Sequence, residues 1–426
     1  MYRPKKLAAG TNGSVRIEEC QLCGAADLSS VLFVGYLPPV NTMPPVGERP
    51  NEQPAYPAEV LRCSKCTLVQ LGLVVDPAIL FPPSYPYTSG TTRILRENFA
   101  ELCREATPLV GLAKDDLVVD VGSNDGTLLG NFKDAGFRVC GVEPTNASKI
   151  ALENGIDTVV AFFGQPAVDE VKAKHGQARV VTAANCFAHI EDVHSIVAGI
   201  LDLLAPNGVF ISESHYLASL LETLQYDTIY HEHLRYYALG SLMKLFEQHG
   251  LEVFHAKKIP THGGSIRVYA ARKGERKVLP SVGEILAHEE RALSPAAFES
   301  FKRAVVRSKL ELHALLKDIK AAGKRIDGVG APSRSSTLIN YVGLDDGIID
   351  SVLEISGSYK IGKYVPGTLI PVVDEAKLED DAPDYLLLFS WHIADELMPK
   401  LVQRGFKGDF IVPLPNPRIV SGSSVK

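Results

Sequence analysis

LVVDVGSNDGTLLGNF, residues 117–132, decides how the rest of the chain is read. An apolar, β-branched run ends at Asp120, Gly122 and Gly126 punctuate the next positions, and an apolar helical pattern begins beyond Thr127. Glycine permits a tight turn and a close approach of backbone to ligand, and the helix N-terminus beneath the turn supplies unpaired N–H groups. The stretch is expected to be a strand, turn and helix that hold a nucleotide-like cofactor. The next apolar run, RVCGVE, ends on Glu143 and is followed by Pro144. Its distance along the chain is about that at which a carboxylate accepts hydrogen bonds from both ribose hydroxyls. The loop is not G-x-G-x-x-G, the dinucleotide fingerprint. The candidate cofactor residues are Asp120, Gly122, Asn124, Asp125, Gly126, Glu143, Pro144 and Asn185, the last at the end of the run RVVTAAN.

Outward from this point, short apolar runs alternate with helical stretches. RVVTAANCF and GVFISES follow RVCGVE, with NASKIALENG and HSIVAGILDLLAPNG among the intervening helical segments. That alternation predicts βαβ units on a parallel sheet. Thr92 to Val110 has the spacing of an amphipathic helix leading into the sheet, and Ser281 to Ala322 reads as one long charged helical region. Beyond it RIDGVG, IIDSVLEI, YLLLFS and FIVPLP are candidate buried strands of a further α/β domain. The expected fold class is α/β, and because the GSNDG loop resembles the first motif of class I methyltransferases, that likeness implies a class I methyltransferase Rossmann-like parallel sheet, preceded by a zinc-binding N-terminal domain and followed by a C-terminal Rossmann-like domain. The expected divisions are 1–80, 81–296 and 297–426.

The N-terminal expectation rests on Cys20-x-x-Cys23 and Cys63-x-x-Cys66. Two such pairs form the two knuckles of a tetrahedral zinc site with four thiolates and no open position, so the metal should hold the fold and take no part in chemistry. The stretch Leu37 to Pro57, rich in proline, reads as a long connection between the knuckles that cannot propagate a helix or a central strand. Cys103, Cys140 and Cys186 read as ordinary buried thiols. The 426 residues are 46% apolar and 22% charged, with a formal net charge of −6, which gives no bulk attraction to nucleic acid or to an anionic membrane. No run approaches the ~18 apolar residues of a membrane span, and MYRPKKLAAGTNGS lacks the apolar core of a secretory signal, so a cytoplasmic enzyme is expected.

After the strand GVFISES comes HYLASLLETLQYDTIYHEHLRYYALGSL, dense in histidine, tyrosine and glutamate. Tyr230, His231, Glu232 and His233 bring groups that move protons near neutral pH to the carboxyl end of a parallel sheet, where ligands bind. HEH lacks the i, i+4 spacing of a helical zinc motif. His189, after the preceding strand, lies at the same rim. Tyr85 and Tyr87, in the proline-rich FPPSYPYTSG, could fold a phenol over it or simply pack the linker.

These residues, with YPYTSG, ANCFAHI, THGGSIRVY, GVGAPSRSSTLIN and KIGKYVPGTLIPV, extend over nearly the whole chain and together resemble the sugar C-methyltransferase family. The resemblance implies methylation at C3 of an NDP-4-keto-deoxysugar, commonly a dTDP sugar. It implies catalytic roles for Tyr85 or Tyr87, His189, Tyr230, Glu232 and His233. The loop with Pro332 and serines departs from the family's more glycine-rich form. Such a reaction needs an enolate, hence a base and an oxyanion partner. His233 is the first choice of base, oriented by Glu232, and Tyr230 is its rival. Gly328, Gly330, Ser333, Arg334 and Ser335 could hold the diphosphate, with His231 also near the sugar. The competing functions are an O- or N-methyltransferase on a small acceptor, an NAD-dependent oxidoreductase and a non-catalytic zinc module. A monomer or weak homo-oligomer is expected.

Overall fold

The computed structural model describes residues 6–8, 13–49, 53–81 and 88–425. Tyr85 and Tyr87 lie outside the described residues. The central sheet has seven strands: β1 Leu117–Val121, β2 Arg138–Val142, β3 Thr158–Val159, β4 Ala178–Ala184, β5 Leu204–His215, β6 Leu251–Ile259 and β7 Ser265–Arg272. Their spatial order is 3-2-1-4-5-7-6. β1 to β5 run parallel, and β7 is antiparallel to both of its neighbours. All five residues of β1 are buried, as a continuous apolar run in a covered parallel sheet requires. The helix Arg93–Val110 buries Leu95, Phe99, Leu102, Ala106 and Val110 on one face and stops at Gly111 in the left-handed conformation.

The C-terminal sheet contains Ile326–Val329, Ser351–Glu354, Val372–Asp374, Tyr385–Leu388, Asp409–Val412 and Arg418–Val420. In chain order its arrangement is 3-2-1-4-5-6, parallel except for the last strand. The single helical region expected over Ser281 to Ala322 is two helices, Pro280–Ala292 and Pro295–Ala321. Ser294 caps the second by accepting the Ala297 N–H, and Pro295 cannot extend the first.

The N-terminal module also differs from a bare pair of knuckles. Leu28–Leu37 and Tyr56–Cys63 pair as an antiparallel hairpin, so the proline-rich connection is the tip of that hairpin. The tip reaches the C-terminal domain: Val46 N–H donates to the Gly362 carbonyl and Tyr364 N–H to that of Pro44. The strand Val69–Leu71 continues this sheet and pairs with Arg235–Tyr236, directly after the YHEH segment. Hydrophobic cores therefore cross the expected divisions. One joins the hairpin, the helix Leu217–Glu222, the helix Pro295–Ala321 and the C-terminal sheet, and a second joins the cysteine knuckles to the central sheet.

Candidate active site and zinc centre

The turn after β1 is shaped by backbone conformations that ordinary residues avoid. Gly122 and Gly126 have φ of 69° and 78°, and a Cβ on Gly122 would lie 2.9 Å from the Cys186 Cβ. Glu143, at the end of β2, is buried; its Oε2 accepts the Asn124 N–H at 3.0 Å and its Oε1 that of Thr145 at 2.9 Å. A carboxylate has about four lone-pair sites, so two remain for ribose hydroxyls. Asn185 has φ of 60° and a buried Oδ1 without a partner. Pro144 is half-buried beside Glu143. A glycine turn, a fixed carboxylate and an orphaned amide oxygen around one crevice fit S-adenosylmethionine.

Three cofactor candidates have side chains engaged within the protein. Asp125 takes the Thr127 N–H and hydroxyl on Oδ1 and the Gly90 N–H on Oδ2, while Asn124 Oδ1 takes the Ser89 N–H at 2.8 Å. Their side chains clasp the segment that follows the tyrosine-rich linker. The Asp120 carboxyl bonds Thr182 Oγ1 across the sheet at 2.5 Å. Cys186 is not an ordinary core thiol either, because its Sγ donates to the Val121 carbonyl directly under the turn.

At the neighbouring rim four histidines from four segments meet. Ring centroids are 5.1 Å apart for His189 and His233, 4.8 Å for His215 and His233, and 5.2 Å for His215 and His262. The Tyr230 ring lies 4.1 Å from that of His233. His233 Nδ1 is 2.7 Å from the Thr228 carbonyl oxygen, which can only accept, so Nδ1 carries the proton and Nε2 keeps a lone pair. Burial first, and His189 second, hold the His233 imidazole well below its ordinary pKa. Burial likewise lowers His189 and His262 to about 4. The cluster is neutral at physiological pH.

Glu232 Oε1 accepts from Asn41 Nδ2 at 2.7 Å, and the Thr228 carbonyl fixes His233 at Nδ1. His231 faces the zinc module, with Nε2 donating to the Pro57 carbonyl at 3.2 Å and its ring edge-on to Tyr56. In the C-terminal domain Arg334 is turned inward. Its Nε and one terminal nitrogen bind both oxygens of Asp227 at 2.8 and 2.9 Å, and the other terminal nitrogen meets His392 Nδ1 at 2.9 Å. Trp391 donates to the same carboxylate. The Ser335 hydroxyl returns to the Pro332 carbonyl in its own helix. Arg334 and Ser335 are therefore committed to the fold, leaving Ser333, half-buried, and Gly330, with φ of 77°, on the loop. His215, His262, Asp227, Trp391 and His392 were missed in the sequence.

Cys20, Cys23, Cys63 and Cys66 converge, with all four sulfurs within 4.8 Å of one another. Leu22 N–H points at Cys20 Sγ and Cys66 N–H at Cys63 Sγ, each at 3.4 Å, the bonds that knuckles use to support thiolates. Four soft sulfurs without an oxygen or nitrogen ligand suit zinc in a closed structural role.

A 3-2-1-4-5-7-6 sheet, a glycine turn facing an acidic strand end, and a histidine cluster beside it define an S-adenosylmethionine-dependent methyltransferase. Family models match in three consecutive parts: a zinc binding domain over 20–81, a methyltransferase domain over 94–256 and a C-methyltransferase C-terminal domain over 260–415. The C-methyltransferase NovU of Streptomyces niveus is 36% identical over 416 residues, covering 96% of this chain and 98% of NovU. The chain belongs to the C-methyltransferase family. Among solved structures, an S-adenosylmethionine-dependent methyltransferase from Clostridium acetobutylicum is 13% identical, covering 43% of this chain and 94% of its own, with a TM-score of 0.34. The PH0226 protein of Pyrococcus horikoshii is 16% identical, covering 46% and 98%, with a TM-score of 0.36. Among the described residues no helix is long and apolar enough to cross a membrane.

Proposed function

We propose that the enzyme methylates C3 of a nucleotide-linked 4-keto-deoxysugar through an enolate, with His233 as the base. The observation that carries this is the Thr228 carbonyl fixing Nδ1–H of His233, which leaves Nε2 unprotonated within a cluster of neutral histidines. A carbon next to a ketone becomes nucleophilic only when its proton is removed and the oxygen is stabilised. His233 Nε2 takes the proton, and Tyr230 and His189 donate to or exchange protons with the developing enolate. Bound S-adenosylmethionine supplies the electrophilic methyl group. Glu143, Gly122 and Asn185 hold it, with Gly126 opening the helix below. A catalytic role for Tyr85 or Tyr87, which lie outside the described residues, belongs to this reading, and the chain just beyond them is clasped by Asn124 and Asp125 through Ser89 and Gly90. In this reading the units 1–80, 81–296 and 297–426 close on one cleft, and the nucleotide lies along Gly330 and Ser333 of the C-terminal loop.

Mass spectrometry of dTDP- and other NDP-4-keto-deoxysugars incubated with labelled S-adenosylmethionine identifies the acceptor. Without methyl donor, deuterium from solvent should wash into C3. His233→Gln should slow that exchange by roughly 100-fold while both ligands still bind. Exchange that persists in His233→Gln but stops in Tyr230→Phe would transfer the role to the phenol. Methyl transfer to oxygen or nitrogen would overturn the carbon assignment.

A further inference from the structure

The two histidines proposed to act on the substrate, His189 and His233, belong to separate segments with no covalent reason to stay together. The bonds that fix their spacing lead into the zinc module. Leu234 N–H, next to His233, donates to the Ala188 carbonyl, next to His189. The buried Arg235 guanidinium donates to the carbonyls of Ile190 and Glu191. Residues 188 to 191 and 233 to 235 are thus laced together around the two rings. The lacing strand is itself held from the other side: Arg235 pairs with Gln70, and Leu71 N–H donates to the Leu234 carbonyl at 2.9 Å.

Gln70 is the link to the metal. Its side chain is fully buried; Oε1 accepts the N–H of Gln21, which lies between Cys20 and Cys23, at 2.9 Å. Its Nε2 donates to the Glu19 carbonyl at 3.4 Å. A buried amide that spends both ends on one knuckle while its backbone pairs with the strand after the catalytic segment ties one to the other. The same knuckle meets the helix Val193–Leu203, which follows β4, through the Leu22 carbonyl, bonded to His194 Nε2 at 3.0 Å. Zinc fixes the knuckle, the knuckle fixes Gln70, and Gln70 fixes the ladder on which both histidines hang.

The geometry points to Gln70 as a positioning residue through which the zinc module sets the spacing of His189 and His233. The coupling itself stands on the backbone ladder; its effect on turnover rests on the proposed roles of the two histidines. Misplacing a reacting group by an ångström costs about 100-fold, and removing an outer-shell partner costs about 10- to 100-fold.

Gln70→Leu keeps a strand-compatible side chain of similar size and removes both bonds. It should retain its zinc and its affinity for S-adenosylhomocysteine, and KM for the methyl donor should stay unchanged. Hydrogen exchange should rise over residues 186–191 and 230–237 but not over β1 and β2, and kcat should fall about 10- to 100-fold. Unchanged exchange over both segments overturns the coupling, as does a loss that extends equally to β1 and β2. Raised exchange with normal turnover upholds the coupling and overturns the roles given to His189 and His233. If Gln70→Leu does not fold, mild zinc chelation of the wild-type protein reads the same coupling: the two segments should lose protection before β1, and the reverse order overturns it.

Discussion

Asp120 and Glu143 end adjacent strands, and the sequence treats them alike. Their surroundings separate them. Glu143 meets two backbone N–H groups, whereas Asp120 is sealed in the sheet with Thr182 as its hydrogen-bond donor. Burial, partly offset by Thr182 and reinforced by Glu143 and Glu213, pushes the Asp120 carboxyl up to about 8. A carboxyl whose folded pKa exceeds its unfolded value of about 3.9 keeps its proton in the native state after the unfolded chain has lost it. The contribution of Asp120 to stability therefore falls as pH rises from about 4 to about 8. Asp120→Asn, which keeps an acceptor for Thr182, should remove that contribution. Its melting temperature relative to wild type should rise between pH 5 and pH 8, and a constant difference across that range would mean that Asp120 ionises normally in the fold. Placement was legible where one segment supplies it: Glu143 after its strand, the two cysteine knuckles, and His233 within YHEH. The partner of His233 was not, because a backbone carbonyl leaves no mark in residue identity, and Glu232 was the nearer acid only along the chain.

At the scale of elements, buried apolar runs announced β1, β2, β4 and β5 but not the two-residue β3, and amphipathic spacing announced the helix Arg93–Val110. The hairpin in the zinc module was harder to see, since the prolines at its tip mask the strands on either side. The docking of the helix Ser333–Val342 against Tyr226–Thr228 was invisible for another reason. It depends on Arg334 and Asp227, more than a hundred residues apart, forming a bidentate pair with side chains only 8% and 1% exposed. Arg334 read as a phosphate anchor because a guanidinium on a glycine loop has that meaning in isolation. Removing one partner of a buried pair strands the other charge, so Arg334→Met should cost about 3–5 kcal/mol in urea unfolding. Arg334→Met combined with Asp227→Leu should recover part of the loss, because it also removes the abandoned carboxylate. A single substitution that costs less than about 1 kcal/mol, within the range of an exposed pair, would show that water reaches the contact.

Over the whole molecule, three sheets that the sequence divides into separate units share two hydrophobic cores, and the histidines lie where those units meet. His189, His215, His233 and His262 come from the central domain, His231 turns to the zinc module, and His392 comes from the C-terminal domain. Burial is the first cause of a depressed pKa in each: His189, His231 and His262 are lowered to about 4, His392 to about 2, and His215 and His233 well below the ordinary range. An unfolded histidine takes up a proton near pH 6.5, so between about 6.5 and 4 the unfolded chain binds more protons than the native one. The stability these groups contribute is complete above about pH 6.5 and is lost as pH falls through that window. Each adds a slope of up to about 1.4 kcal/mol per pH unit. The melting temperature should therefore drop steeply and cooperatively from pH 7 to pH 5, with loss of the central and C-terminal domains together because their interface carries the titrating groups. His231→Gln preserves a donor for the Pro57 carbonyl, lies outside the reacting pair and should make that slope shallower by about one proton. A melting temperature that is flat from pH 7 to pH 5 would mean that the histidines exchange protons with solvent in the native state. A His231→Gln slope equal to wild type would exempt His231 alone, leaving the interface cluster as the source of acid sensitivity.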